Sequence, residues 1–514
     1  MALRKWRDAA LGVCLLALCV QMAPTVAQEA QPLVIGTLER IATLDPADSG
    51  DFFTWEVLAH LYTGLTRQQP GSLEYDLALA VSHAVSADGL THTFAIRPDA
   101  AFSDGTPITA GTFAESITRT LRLSGRGAAA IRDVIQSAVV DDEGALSIRL
   151  ARPAPASYLL QVLALPPCFP VHPASFPSER LIAAPDSIIG NGVYRIDSIT
   201  PRELTLVADA AWDGDPPATP RLILRRYDFP ADLRDALRAG EIDIAWRGLP
   251  PDDADIALRI PGVSEMTFTG LQSFYALLSQ RSAPFDDPAA RRALLPLVDR
   301  DRAARFGLRG IGEPLYTLVP TPLAGDQAPR YPPFDLAAVP GALAEGGFSR
   351  FRQVMAEWQT ARGLYGDAYL AAADAISDAL VRHEAFRITR FDAVPDTFLS
   401  QLERGAFKIM IVGWTPLVPH PEAFLRPLLA SGGALAAAAG YDNPEIDALL
   451  GQAARLDEAA ALYDEIQVIA AGAVAAIPLW RLHQVILFRE TLDPASIIVE
   501  PNALLRYDRL QRAG

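Results

Sequence analysis

The sequence predicts a mixed α/β fold. Short runs of apolar and branched residues, which are typical of strands, alternate with longer stretches whose apolar residues recur at helical spacing. Residues 33–36, 204–207 and 222–226 are strand-like runs, and residues 113–121 and 231–238 are helical stretches. The chain has 514 residues, of which 50% are hydrophobic. At about 150 residues per domain, this is enough material for more than one core.

The chain is acidic, with 61 Asp and Glu against 45 Lys and Arg and a formal net charge of -16. A nucleic-acid site draws most of its affinity from clustered Lys and Arg, which release counterions from the phosphates. We therefore expect no nucleic-acid partner.

The amino terminus has the pattern of a secretory signal peptide. Basic residues within positions 4–7 precede an apolar run at residues 9–20, and small residues suited to signal peptidase follow at Thr25 and Ala27. The run is shorter than the roughly 20 residues that span a bilayer. We expect residues 1–27 to be removed and the mature protein to act in a bacterial periplasm.

Cysteine usage agrees with that interpretation. Cys14 and Cys19 lie in the signal segment, so Cys168 is the single cysteine of the expected mature chain. An exported chain with one cysteine has no internal disulfide and is stabilised by its core. A lipid anchor at Cys19 is the alternative, and the bulky Leu18 before it weakens that reading.

The first elements follow from alternation and from turn chemistry. Residues 91–97 alternate between two faces, which predicts a half-buried strand joined to the preceding strand by an Asp88-Gly89 turn. A second turn at residues 104–107 precedes a helix for which Thr109 is the expected N-cap.

The later elements carry equally local signals. Gly240 follows the helical stretch 231–238 as a C-cap, and the next strand is expected to begin at residues 242–244. Residues 407–413 read as a strand buried on both faces, preceded by a helix at about residues 368–383. Residues 444–475 predict two helices with a break near Asp457.

The sequence contains no recognisable catalytic set. It has no H-E-x-x-H, C-x-x-C, G-x-S-x-G or G-x-x-x-x-G-K-[ST] motif. His83 and His92 are the only near pair of histidines, and they lie in neighbouring predicted strands without further metal ligands. We therefore expect no enzyme activity, no metal site and no cofactor.

A series of ordered blocks carries more information. Residues 88–119 read DGLTHTFAIRPDAAFSDGTPITAGTFAESITR, and further blocks follow at residues 190–195, 239–244, 284–300, 440–447 and 477–480. In sequence and order these blocks resemble the family 5 extracellular solute-binding proteins, the dipeptide and oligopeptide receptors of bacterial ABC importers. The resemblance covers residues 33–490.

The resemblance implies a two-lobed periplasmic binding protein fold with an inserted domain and a hinge cleft. Residues 33–64, 178–268 and 484–514 would form a discontinuous lobe I. Residues 65–177 would form an inserted domain II, and residues 269–483 would form lobe III. Ligand would lie between the two lobes, where closure excludes water and strengthens polar contacts.

The implied function is that of a receptor. It would capture a peptide-like or other small solute as a monomer and deliver it to the permease subunits of an ABC transporter. A periplasmic binding protein that serves a sensor or assists folding is the alternative, and a secreted enzyme is a third possibility.

The resemblance also points to site residues. Peptide-binding members carry G-W-x-A-D-Y-x-D-P after the buried strand, and the first Asp pairs with the peptide ammonium. Here Trp414 is kept, either as a wall of the ligand site or as a core aromatic, and Leu417 occupies the Asp position. An ammonium facing Leu417 would lose its charged partner, which leaves Glu422 as the nearby acid. A blocked or modified peptide, or a non-peptide solute, is therefore expected.

Further candidates are mainly aromatic. Four aromatic side chains, those of Phe274, Tyr275, Trp246 and Trp480, would each be either a ligand contact or a core residue. Arg390, like Arg247, offers a charge for a ligand carboxylate. The expected ligand-binding set beyond Trp414 and Leu417 consists of Phe274, Tyr275, Trp246, Trp480 and Arg390.

Overall fold

The computed structural model describes residues 31–183, 187–324, 328–456 and 458–514. The expected signal segment at residues 1–27 and the expected helix break at Asp457 lie outside the described residues. In the described part of the chain, helices and strands alternate, and the strands form sheets of seven, six, four and two strands. The mixed α/β class predicted from the sequence is confirmed.

The seven-stranded sheet has a parallel centre. Leu33–Thr37 lies parallel to both neighbours, Arg221–Arg226 and Ile244–Trp246, and the outer strands pair antiparallel. All of its strands lie in the segments expected to form lobe I. Across the sheet the order is Val263–Phe268, Gln484–Arg489, Ile244–Trp246, Leu33–Thr37, Arg221–Arg226, Glu203–Ala208 and Tyr194–Ile199.

The α-helices around this sheet are Phe52–Leu61, Pro230–Ala239 and Pro251–Ala257. Gly240 ends the second of these helices with a φ of 75°, a left-handed conformation that glycine adopts without a steric cost. The predicted C-cap is confirmed. The following strand begins at Ile244, at the end of the range expected for its start.

The segment expected to form domain II contains an antiparallel sheet whose strands are, in order, Ala80–Val85, Thr91–Ile96, Leu146–Leu150 and Ile135–Val140. A separate hairpin pairs Thr66–Gln68 with Tyr75–Leu77. The α-helices are Ala110–Leu123, Arg126–Ile131 and Ala156–Leu163. Thr109 caps the first of them by accepting from the Thr112 backbone amide, as predicted.

The six-stranded sheet lies wholly within the expected lobe III. Val354–Ala361 is parallel to Phe386–Ala393 and to Ile409–Trp414, and the remaining pairs are antiparallel. The predicted buried strand is confirmed, because residues 409–412 are all buried. Across the sheet the order is Gly312–Pro314, Ala476–Leu482, Ser273–Leu278, Ile409–Trp414, Val354–Ala361 and Phe386–Ala393.

Lobe III also holds most of the helices. The helix predicted at residues 368–383 is Asp367–Arg382, and the two predicted beyond residue 444 are Pro444–Ala453 and Ala460–Ala473. The others are Pro288–Leu294, Arg300–Arg302, Thr321–Ala324, Val339–Glu345, Pro395–Arg404, Glu422–Leu429 and Ala434–Ala439, with a π-helix at Ala303–Leu308.

Short 3₁₀ turns occur in every part of the described chain. They lie at Pro46–Asp48, Pro166–Cys168, Leu295–Leu297, Pro494–Ser496 and Tyr507–Arg509.

The two large sheets are joined by a pair of short connections that lie side by side. One connects Val263–Phe268 to Ser273–Leu278, and the other connects Ala476–Leu482 to Gln484–Arg489. The Leu482 amide donates to the Gln272 carbonyl at 2.9 Å. A Cβ added at Gly270 would stand 2.4 Å from the Leu482 carbonyl oxygen, so only glycine fits this close approach.

The apolar side chains form separate cores. Lobe III has one apolar cluster on each face of its sheet, and lobe I has two further clusters. The cluster of domain II also includes Val418 and Ala423 from lobe III. None of the described helices has both the length and the apolar character that crossing a membrane requires.

Candidate ligand-binding cleft

Parallel strands end at corresponding places in the two lobes. In lobe I, Leu33–Thr37 and Ile244–Trp246 are parallel neighbours, and in lobe III the same holds for Val354–Ala361 and Ile409–Trp414. Ligands of open α/β sheets bind outside the carboxyl ends of parallel strands. These two strand ends, linked by the double connection, define the candidate cleft.

Trp414 is the last residue of its strand and is half-buried. Its indole Nε1 donates to the Ala423 carbonyl at 2.8 Å, and its ring packs against one of the lobe III clusters. The hydrogen bond fixes the ring at the end of the strand. One part of the ring therefore supports the core, and contact of its exposed part with a ligand stays a prediction.

Leu417 lies in the loop that follows Trp414. It is half-buried and packs against the apolar cluster of domain II, and its neighbour Val418 is fully part of that cluster. Pro416 and Pro419 remove two backbone donors from the loop. In this structure the loop therefore offers apolar surface and few polar groups.

Glu422, the nearby acid noted in the sequence, is the first residue of Glu422–Leu429 and is 1% exposed. Its Oε1 accepts from Arg152 Nη1 of domain II at 2.6 Å and from Arg426 Nε at 2.8 Å. His420 Nδ1 accepts from the Glu422 amide, and burial lowers the pKa of His420 to about 4. The imidazole is therefore neutral at pH 7.

Phe274, Tyr275 and Trp480 lie inside lobe III and have no exposed surface. Phe274 stacks on Trp480 with ring centroids 5.1 Å apart, and the Tyr275 hydroxyl donates to the Leu318 carbonyl at 2.6 Å. These contacts account for all three side chains as parts of the core. Their contact with ligand stays a prediction that would require movement of the surrounding residues.

Trp246 is also buried, at the end of its strand in lobe I. Its Nε1 donates to both oxygens of Glu56, at 3.1 and 3.0 Å. The next residue, Arg247, has a φ of 56°, which is strained for a residue with a side chain. Its guanidinium also donates to Glu56. Trp246 therefore helps to hold Arg247 at the strand end, and its own ligand contact stays a prediction.

Arg390 lies on Phe386–Ala393, and its guanidinium is engaged by the adjacent helix Asp367–Arg382. Its Nε donates to Ser377 Oγ at 2.7 Å, and the guanidinium forms ion pairs with Asp374 and Asp378. The charge is already paired, Arg390 lies on the edge strand of the sheet, and its described polar partners include neither Trp414 nor Leu417. A ligand contact for Arg390 stays a prediction.

A cavity of about 230 Å³ lies where the segment expected to form domain II meets lobe I, including the carboxyl-terminal residues of lobe I. Its lining includes Tyr62, Gln161, Glu500 and Asn502, none of which the sequence analysis selected. Burial raises the pKa of Glu500 to about 7. These residues come from three distant parts of the chain, near residues 62, 161 and 500, so no local pattern could have grouped them.

The described residues contain no group of three or more His, Cys, Asp or Glu side chains placed to hold a metal ion. His83 Nε2 and His92 Nδ1 lie 2.8 Å apart, and burial lowers the pKa of His92 to about 4. This histidine pair lies in domain II, away from the strand ends that define the candidate cleft.

Comparison with solved structures gives the same architecture over almost the whole chain. HbpA2 from Haemophilus parasuis superposes with a TM-score of 0.82 at 18% identity, covering 94% of this chain and 100% of that one. The Escherichia coli murein tripeptide binding protein MppA superposes at 0.72 with 21% identity, covering 95% and 100%. The chain therefore has the two-lobed periplasmic binding protein fold.

Sequence comparison identifies the family. The glutathione-binding protein GsiB of Escherichia coli O1:K1 / APEC is 23% identical over 460 residues, which covers 87% of this chain and 88% of the relative. The family model for bacterial extracellular solute-binding proteins, family 5, matches residues 74–436. The chain belongs to the family 5 bacterial extracellular solute-binding proteins.

Proposed function

We propose that this protein is the periplasmic receptor of an ABC importer, and that it captures a peptide-like or other small solute between lobe I and lobe III. Membership of a family of solute-binding proteins carries the proposal. The parallel strand ends that define the candidate cleft also support the proposal. So do the two short connections that join the lobes, since connections of this kind can act as a hinge on which the lobes close around a ligand. Delivery to membrane permease subunits completes the proposed role.

Within the cleft, Trp414 and Leu417 are the proposed ligand wall. The half-buried indole supplies a flat apolar surface, and the loop with Pro416 and Pro419 supplies few polar partners. Tyr275 belongs to the lobe III cluster on which the Trp414 ring packs, whereas Phe274 and Trp480 lie in the other lobe III cluster and Trp246 lies in lobe I. The relatives GsiB and MppA are named for binding glutathione and a murein tripeptide, which makes a short peptide-like solute the proposed class.

Native mass spectrometry tests the proposed function directly. The protein would be purified from the periplasm of its own host without denaturation, and the spectrum should show a retained small solute that is released by acid. Calorimetry with that solute should then give one site per chain. A chain that retains nothing and binds neither peptides nor extracts of the growth medium would contradict the proposal.

The same preparation tests the expected export. Amino-terminal sequencing should return Gln28 as the first residue, because residues 1–27 have the pattern of a cleaved signal. A lipid-modified Cys19 would show instead that the protein is anchored to a membrane. Size-exclusion chromatography with light scattering should give the mass of a monomer.

A further inference from the structure

The interface between lobe III and domain II contains a cluster of three charged side chains. Arg152 of domain II and Arg426 of lobe III both donate to Oε1 of Glu422, which lies between them. Glu422 is 1% exposed, whereas the side chains of Arg152 and Arg426 are 23% and 26% exposed. The accessible part of this arginine cluster therefore belongs to the two arginine side chains and not to the carboxylate.

The arginine cluster carries a net positive charge. Two guanidiniums share one carboxylate, and the neighbouring His420 is neutral because burial lowers its pKa to about 4. The second oxygen of Glu422, Oε2, is buried and has no hydrogen-bond donor among the described residues. An approaching solute consequently meets the arginines before it meets the carboxylate.

No further acid in the described part of the chain neutralises this surplus. Asp133 lies close enough to influence Tyr158, but it is exposed and forms no described ion pair with either arginine. The described residues supply no acceptor for the two terminal nitrogens of Arg426, whose Nε alone is bonded. A guanidinium with both terminal nitrogens available fits a carboxylate with two parallel hydrogen bonds.

The arginine cluster lies directly beside the proposed ligand wall. The Trp414 indole donates to the carbonyl of Ala423, the residue after Glu422. Between Trp414 and Glu422 the loop contains no acidic side chain, and Leu417 packs on domain II. The polar end of the wall is therefore cationic and its middle is apolar.

We infer that Arg152 and Arg426 form an anion-accepting subsite at this end of the cleft, and that the protein selects solutes bearing a carboxylate over solutes bearing an ammonium group there. The inference rests on the proposed function and names the charge class of its ligand. Glu422 acts in this arrangement as the group that positions the two arginines.

Two capped forms of one peptide separate the alternatives. N-acetyl-trialanine has a carboxylate and no ammonium, and trialanine amide has an ammonium and no carboxylate. Calorimetry should give a Kd for the acetylated peptide at least about tenfold tighter, the ratio expected for one charge-assisted hydrogen bond. Equal affinities, a tighter amide, or no binding of either peptide at millimolar concentrations would overturn the inference.

Variants with opposite effects on the charge sharpen the test. Arg426→Gln leaves the Arg152–Glu422 pair intact and removes the surplus charge, so the preference for the acetylated peptide should fall by about tenfold. Glu422→Gln keeps an oxygen that can accept from both arginines and increases the net positive charge, so it should strengthen that preference. Arg404→Gln, at an exposed arginine on another helix, is the matched control and should change nothing. Unchanged preference in both cluster variants would count against the subsite.

The retained solute distinguishes failure of this inference from failure of the proposed function. A neutral or cationic solute in the native mass spectrum would overturn the anion-accepting subsite while leaving the receptor function in place. An anionic solute whose affinity falls in Arg426→Gln but not in Arg404→Gln would support both.

Discussion

Glu56 is a buried carboxylate that joins distant parts of lobe I. It is 0% exposed and accepts from Trp246 Nε1, Arg247 Nη2, the Leu505 amide and the Tyr507 hydroxyl. A buried charge is costly unless its hydrogen-bonding capacity is satisfied. These four donors from two distant segments, residues 246–247 and 505–507, satisfy it, and they also hold the strained Arg247 at the end of its strand.

We expect Trp246→Phe to lower the free energy of unfolding by about 1 to 3 kcal/mol, because it removes one donor from a buried carboxylate. Urea unfolding followed by circular dichroism measures this change. Trp212→Phe, which removes an indole whose Nε1 donates to the Asp215 carbonyl at the surface, is the control and should cost less. Loss of ligand affinity without loss of stability would show that Trp246 contacts the ligand.

Leu417 allows a second prediction at the residue scale. Leu417→Asp should strengthen binding of free trialanine by about 1.5 to 3 kcal/mol, because it supplies a carboxylate for the ammonium group beside a cationic cluster. It should also lower the free energy of unfolding by on the order of 1 kcal/mol, since the leucine packs on domain II.

Calorimetry and urea unfolding measure the two effects of the Leu417 substitution. Leu417→Asn is the matched control, with the same expected loss of stability and no gain in peptide binding. Micromolar binding of free trialanine by the unaltered protein would contradict the expectation that the present loop accepts an ammonium group poorly.

At the scale of elements, helix Ala156–Leu163 of domain II packs against the loop that precedes Glu422–Leu429. Ser157 Oγ lies 3.3 Å from His420 Nε2, and the Tyr158 ring meets the His420 ring edge to face at 5.2 Å. Protonation of His420 would place a charge in this buried contact. The contact is therefore sensitive to pH through one imidazole.

Burial lowers the pKa of His420 from 6.5 to about 4, so the unfolded chain takes up a proton at this residue more readily than the folded protein. The free energy of unfolding should consequently fall as the pH decreases from 6.5 towards 4, by on the order of 3 kcal/mol. Above pH 6.5 this contribution is fully present. Urea unfolding across this pH range measures it.

His420→Gln removes the ionisable ring at this interface and should flatten that part of the pH profile. His383→Gln, a substitution outside the interface between domain II and lobe III, serves as the control. An identical pH profile in the wild-type protein and in His420→Gln would contradict the assignment to His420.

At the scale of the whole molecule, an ion-pair group joins the lobes near the hinge. Arg309 of lobe III pairs with Asp252 and with Asp255, the latter at 2.6 Å, on helix Pro251–Ala257 of lobe I. These side chains are exposed, and surface pairs of this kind are weakened by salt. They link the two lobes in the arrangement described here without making it permanent.

Ligand should therefore make the protein more compact and more stable. At a hundredfold excess over Kd the stabilisation is expected to be about 2.7 kcal/mol, because the solute binds the folded state alone. Small-angle scattering of the unliganded protein should show a larger radius of gyration in Arg309→Gln than in the wild type. Arg305→Gln, at a nearby exposed arginine, is the control. Scattering curves that do not change on adding ligand would contradict closure about a hinge.

Much of the fold could be predicted from the sequence because its signals are local. The Thr109 cap, the Gly240 stop and the buried strand Ile409–Trp414 each depend on a few neighbouring residues. The strand Phe386–Ala393 and the helix Pro395–Arg404 were missed. The strand is an edge strand with only three buried positions, so its alternation of apolar residues is weak. The helix buries Phe398 alone, and its short polar sequence offers few apolar residues to mark it.

The candidate site, like the fold, could be predicted from the sequence only in part. The sequence alone determined the family blocks, the retained Trp414 and the apolar Leu417, because these are properties of contiguous residues. Only the tertiary structure decided that Phe274 and Trp480 stack inside the core, and that Glu422 pairs with Arg152, 270 positions away. Burial and long-range pairing depend on how domain II packs against lobe III, and no window of local sequence contains that packing.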